Sequence, residues 1–201
     1  MSTLNTLNGG KSQFSLQDLI KALADTSDDR RPVERWNPEH CGEIDIVIKS
    51  DGSWWHEGSR ITRKGMVELF ASVLRKDADG VTYLVTPVEK LSITVERAHF
   101  VAIRLDAKGE GEAQRLFFTT NLGDVVEVET ATPLRIETDL ETGEPDPYVR
   151  VWGRLEASLS RPVFYELVNL AVERHTPVGA QLGVWAAGEF YPLGPVGFHE
   201  I

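Results

Sequence analysis

The densest group of chemistry-bearing side chains is Arg60-Ile61-Thr62-Arg63-Lys64, just ahead of an apolar-periodic segment (Met66, Leu69, Phe70, Val73, Leu74). A helix starting there, capped by Thr62, presents free backbone N–H groups and the positive end of its dipole. Two arginines and a lysine add full charges, and the combination suits a phosphate or a carboxylate. Arg161 stands at the head of a second such segment, capped by Ser160. Trp54, Trp55, Tyr83 and Trp152 offer flat faces for stacking on a base or another ring. Lys90, after Thr86-Pro87-Val88-Glu89, points toward the same cleft, and Arg150 and Arg154, four apart on an expected strand, extend a basic wall. The plainer alternative is that the arginines pair with local acids such as Glu57 or Glu156, the tryptophans fill the core, and Lys90 is a solvated turn lysine.

Catalytic patterns are missing from the chain: there is no G-x-S-x-G, no G-x-x-x-x-G-K-[ST] and no H-E-x-x-H. The five histidines share no metal-ligand spacing, so no metal and no cofactor is read. His56-Glu57 and His40-Cys41 are neighbours in sequence, and neighbours on a strand point to opposite faces. A hydrolase with His56 or His99 as base lacks a nucleophile, and the reading is of a protein that is not an enzyme.

The 201 residues carry 31 acidic and 21 basic side chains, a net charge of −10. Such a chain repels polyanions on average, which excludes bulk coating of nucleic acid but leaves room for a local basic pocket. The composition, 41% hydrophobic and 26% charged, is that of a globular protein able to bury a core. A single cysteine, Cys41, points to a cytoplasmic setting; no membrane span and no signal peptide is read.

These side chains must be positioned by a chain that opens with a polar leader (1–13) and a short amphipathic helix carrying Leu16, Leu19, Ile20 and Leu23. A connector with Pro32 and Pro38 is expected to run extended to residue 40, with Trp36 against a domain surface. The first unit (41–95) reads as a strand with Ile44, Ile46 and Ile48 on one face, a Trp54–Glu57 hairpin strand, the helix, and a strand at Val81–Val85. The middle (96–147) is a run of short strands: Leu91–Val95 leads into Phe100–Leu105, Arg115–Thr119, Val125–Val128 and Leu134–Ile136, and a turn fills Glu141–Pro147. In the second unit (148–201) a strand over Tyr148–Leu155 precedes a helix bearing Val163, Phe164, Leu167, Val168, Ala171 and Val172, then strands at Leu182–Ala186 and Glu189–Leu193.

An internal repeat runs through the chain. Ninety-eight residues on, Trp54 falls on Trp152, Ile61 on Leu159, Thr62 on Ser160, Arg63 on Arg161, Met66 on Phe164, Glu68 on Glu166 and Leu69 on Leu167. Agreement of cap, stripe and tryptophan indicates a duplication, with the copies packed about an approximate twofold and a cleft between them. The fold class is α+β, two related halves each built as a curled antiparallel sheet with one helix.

The segments Ser50–Gly58, Ile61-Thr62-Arg63, Met66–Phe70 and Tyr83–Lys90, with Arg31-Pro32 and Trp36-Asn37-Pro38 before them, resemble a bacterial family known as the domain of unknown function 1285 family. The similarity spans about residues 30 to 195. It departs from the expected pattern at Arg97-Ala98, where an acidic residue and a proline-like turn are anticipated. The resemblance implies a duplicated core whose C-terminal half is superficially pleckstrin-homology-like. It also implies a site at the domain interface for a nucleotide-like or nucleic-acid-derived ligand, and a role in signal transduction.

The expectation is a cytoplasmic ligand-binding signalling protein with a small anionic, nucleotide-like ligand between its halves. Arg60, Arg63, Lys64, Arg161 and Lys90 would meet the anion, and Trp54, Trp55, Tyr83 or Trp152 would stack on it. The competing expectation is a protein-interaction module without a small ligand, whose protein partner docks on the pleckstrin-like half and the N-terminal helix.

Overall fold

The computed structural model describes residues 31–39, 41–138, 144–177 and 179–196, so the expected leader and first helix lie outside the described residues. The first half holds β1 (Cys41–Ile48), β2 (Trp54–His56), β3 (Ser59–Arg60), α1 (Lys64–Ala71), β4 (Leu74–Lys76), β5 (Thr82–Val85) and β6 (Lys90–Val95). Then come β7 (Phe100–Lys108), β8 (Arg115–Thr120) and β9 (Val125–Glu127). The remainder is β10 (Leu134–Thr138), β11 (Pro145–Trp152), β12 (Leu155–Leu159), α2 (Arg161–Asn169), β13 (Val172–Thr176), β14 (Gly179–Ala186) and β15 (Glu189–Pro195).

These strands form antiparallel meanders of three, each turned by short loops. In three places the first strand of a meander lies beside the last strand of the next. Thus β1 ladders in parallel with β6, giving the sheet β3-β2-β1-β6-β5-β4. Likewise β7 ladders in parallel with β12, giving β10-β11-β12-β7-β8-β9. The strand β10 lies against β15, yet no ladder forms, and β13-β14-β15 stands as a separate sheet.

The duplication is therefore a topological one. Three strands, a helix and three strands occur as β1–β6 around α1 and again as β10–β15 around α2, with β7–β9 spliced between. The second copy begins at Leu134 rather than Tyr148, and each six-stranded sheet contains one parallel pair rather than being antiparallel throughout. The constant spacing of 98 does not survive either. The N-cap of α1 is Arg63 and that of α2 is Ser160, one residue short of that spacing.

Local chemistry explains where the elements end. Thr62 is not the cap of α1, and the cap position, Arg63, makes no side-chain bond. The apolar stripe suggested a helix running to Leu74, but α1 stops at Ala71 because Leu74 pairs with Leu84 and Val73 bonds Val85. In the same way Val172 pairs with Gly183 and belongs to β13. Gly153, with φ of 53°, breaks the expected Tyr148–Leu155 strand into the β11–β12 hairpin. Arg154 thus sits in the turn and shares no strand face with Arg150. Within the expected Glu141–Pro147 turn, 141–143 lie outside the described residues, while Pro145–Pro147 open β11.

One apolar core spans both halves, including Ile46, Ile48 and Phe70 from the first and Phe100, Phe118, Val149 and Leu167 from the second. Trp54 is 1% exposed and stacks on Phe70 of α1 at 6.2 Å between ring centroids. The connector is pinned by Arg75, which donates to the carbonyls of Val33 (2.7 Å) and Trp36 (2.6 Å) and to Asp77 (2.6 Å).

Candidate functional site

A cleft of about 660 Å³ opens where the two halves meet. The first half contributes Arg31, Val33 and Glu34 from the connector, and Glu68, Ala71 and Ser72 from the end of α1. Across from them stand Leu122 and Asp124 from the β8–β9 turn and Trp152, Gly153 and Arg154 from the β11–β12 hairpin. The hairpin turn carries the site: Gly153 adopts a left-handed backbone close to Glu34, placing Trp152 and Arg154 on either side. Arg31 donates to Ser72, and burial pushes its guanidinium pKa down. Arg31, Glu34 and Glu68 thus face Asp124, Trp152 and Arg154 across one opening.

Of the residues singled out by sequence as ligand-binding, Trp152 lines this cleft, and so does Arg154, which was expected in the basic wall. Trp54 is sealed in the core and offers no face to a ligand. Trp55 is half-buried, with its indole N–H donated to Ser53 at 2.8 Å. Arg60 and Arg63 are exposed at the start of α1 and make no salt bridge among the described residues, while Lys64 pairs with Glu68 one turn along the helix. Arg161 heads α2 at a different cavity, so the two helix starts do not converge on one anion.

Lys90 and Tyr83 do meet, beside Asp77 and away from the interdomain cleft. The Lys90 ammonium sits 4.1 Å from the Tyr83 ring centre and 2.9 Å from Asp77, whose hydrogen bond raises the lysine pKa. Tyr83 donates to Asp79 at 2.8 Å, which raises the phenol pKa. Burial works to raise the Asp77 pKa, yet Arg75 and Lys90 outweigh it and hold the carboxyl below its ordinary value. The cluster is neutralised from within.

Glu156 pairs with neither site arginine; Arg135 grips it with two bonds of 2.7 Å and lowers its pKa. His99 is 4% exposed with both ring nitrogens engaged, and the Nδ1 of His56 meets the Asp45 carbonyl at 2.8 Å. No group of three or more metal-ligating side chains occurs among the described residues, and no described helix is long and apolar enough to cross a membrane.

Sequence reasoning missed Arg31, Glu68 and Asp124 as cleft residues and gave Arg154 a strand position. No motif marks them. The one available signal was Gly153-Arg154 after Trp152, a hairpin turn hidden inside an apparently continuous strand.

The boundary between the halves is also where two family profiles divide. Residues 31–98 match the N-terminal domain of DUF1285, a domain of unknown function, and residues 99–193 match its C-terminal domain. The chain belongs to the DUF1285 family. A solved DUF1285 family protein from Silicibacter pomeroyi DSS-3 is 41% identical with a TM-score of 0.81, over 89% of this chain and 95% of that one. Another, from Shewanella baltica OS155, is 24% identical with a TM-score of 0.47, over 62% of this chain and 90% of that one. Among curated proteins, none matches. For this DUF1285 protein the cleft described above is the junction of the two family domains.

Proposed function

We propose that the protein is a ligand-binding protein whose interdomain cleft holds a small, flat, anionic molecule of nucleotide type. The observation that carries this reading is the placement of Trp152 and Arg154 on one hairpin, facing Arg31 across an opening of about 660 Å³ at the domain junction. The volume is that of an ordinary ligand pocket. An indole supplies a stacking face and a guanidinium supplies paired donors for phosphate oxygens. Glu34, Glu68 and Asp124 accept hydrogen bonds from ring amino or ribose hydroxyl groups, a pattern that suits a nucleotide better than bare phosphate. No step of this role calls for a catalytic group. The setting is cytoplasmic signalling, as the family resemblance implies.

The test is a thermal-shift screen of the whole chain against nucleotides, cyclic dinucleotides, short oligonucleotides and inorganic phosphate, repeated on Arg154→Glu and Trp152→Ala. A ligand at a hundred times its dissociation constant stabilises by about 2.7 kcal/mol, a shift of several degrees. Selective stabilisation by one nucleotide class, lost in both variants, is the expected result. No shift with any compound rejects the reading.

A second reading, a protein-interaction module, draws on Ile103 and Val125, which are 55% and 64% exposed on the β7–β8–β9 sheet. Its mark is a partner-dependent mass that Ile103→Lys abolishes while nucleotides have no effect.

A further inference from the structure

The seam between β10 and β15 matches the β1–β6 and β7–β12 seams in position but not in hydrogen bonding. In the first copy the equivalent seam is closed by the β1–β6 ladder, and Trp54 and Phe70 pack tightly beneath α1. In the second copy β10 and β15 are neighbours and both are sheet edges. Sequence distinguishes the two seams. The strand β6 contains no proline, whereas β15 contains Pro192 and Pro195, each without an N–H. Prolines are tolerated on an edge strand, and β15 is the edge of its sheet.

The unclosed seam leads into a cavity of about 750 Å³ under α2, within the usual range of small-molecule pockets. Its wall is largely apolar, with Ile136 and Leu159 on one side, Leu182 and Leu193 on the other, and Phe164 and Val168 from the helix above. Two cations, Arg97 and Arg161, and one carboxylate, Glu144, stand among the lining residues. Arg97 is committed to Asp146, to which Tyr148 also donates. Arg161 is exposed and makes no salt bridge among the described residues.

We propose that this cavity is a second binding site, for a small amphiphilic carboxylate whose apolar body enters beneath α2 and whose head pairs with Arg161. A polyphosphate is disfavoured because one unpaired cation serves the whole cavity. The site is separate from the interdomain cleft, and its test does not depend on that reading.

The experiment is calorimetric titration of the full chain with straight-chain and aryl monocarboxylic acids of increasing apolar size, with the matching alcohols as uncharged controls. Affinity is expected to rise with apolar size and then fall once the cavity is full, and acids are expected to bind more tightly than their alcohols. Arg161→Gln, a change at an exposed position, should weaken the acids roughly tenfold or more while leaving the alcohols unchanged. Val168→Phe, which fills the cavity, should abolish both. No binding by any acid at millimolar concentration overturns the proposal, as does equal binding of acids and alcohols, full affinity in Arg161→Gln, or full affinity in folded Val168→Phe.

Discussion

His99 Nε2 lies 3.0 Å from Thr82 Oγ1, and this buried bond ties the first residue of the C-terminal domain to the fifth strand of the N-terminal one. On the other side of the ring the Glu156 N–H donates to Nδ1 at 3.1 Å. Nδ1 therefore carries no proton, and Nε2–H is the donor to Thr82. A neutral imidazole satisfies both partners, whereas an imidazolium would set a proton against the Glu156 N–H. Burial, with the nearby Lys76 charge, lowers the His99 pKa from 6.5 to about 4.

The sign of the pH effect follows. Between pH 6.5 and about 4 the unfolded chain binds a proton at His99 that the folded chain does not. Stability from this residue is complete above about pH 6.5 and falls as pH drops toward 4, by on the order of 3 kcal/mol in all. Urea midpoints measured from pH 7.5 to 4.5 should decline accordingly. In His99→Gln, which keeps a donor and an acceptor but does not titrate, that decline should flatten. An equally steep decline in the variant would assign the effect to other groups.

The connector gives a second prediction. Arg75 is 8% exposed, and its donors satisfy two carbonyls and Asp77. Arg75→Met keeps the aliphatic stem but leaves those carbonyls without their donor and Asp77 with Lys90 alone, at a cost of about 2–4 kcal/mol. Chemical denaturation reads the loss. Limited proteolysis should show faster cleavage near Trp36, because the connector is what Arg75 holds.

Gly52 tests the seating of one half on the other. Its φ is +79°, and a Cβ there would lie 2.8 Å from Asn121 Nδ2 and 3.0 Å from Val101 Cγ2. Gly52→Ala combines backbone strain with a clash across the domain boundary. It should cost about 1–3 kcal/mol, read as a fall in melting temperature of several degrees.

Much of the architecture was legible in the chain. The alternation of Ile44, Ile46 and Ile48 and the stripes of both helices are local patterns set by one buried face, and each forms the expected element. The ends of the helices were less legible, because Leu74 and Val172 continue the helical spacing although strand pairing claims them. The parallel seams were hidden for a different reason: Cys41 meets Lys90 through non-local pairing that leaves no mark on either segment. The candidate site suffered most. Arginines at two helix starts look alike in sequence, but the offset between Arg63 and Ser160 and the placement of α2 over its own cavity carry Arg161 away from Arg60 and Arg63.

The tryptophans separate core from site most sharply. Both stand beside a hairpin turn, but Trp54, opposite Ile48, is stacked on Phe70 and buried, whereas Trp152, opposite Leu155, is tilted against Phe100 at 5.0 Å and lines the cleft. Removing Trp54 empties the core, so Trp54→Ala should cost about 3–5 kcal/mol. Trp152→Ala removes a half-buried ring and should cost roughly 1–2 kcal/mol. The two variants should also part in binding. Trp54→Phe, which restores most of the volume, should keep the affinity of the parent for a nucleotide that stabilises it, and Trp152→Ala should lose it. Paired denaturation and titration curves give both numbers for each variant. Retained nucleotide affinity in Trp152→Ala would remove the stacking face from the proposed cleft, whatever the variant does to stability.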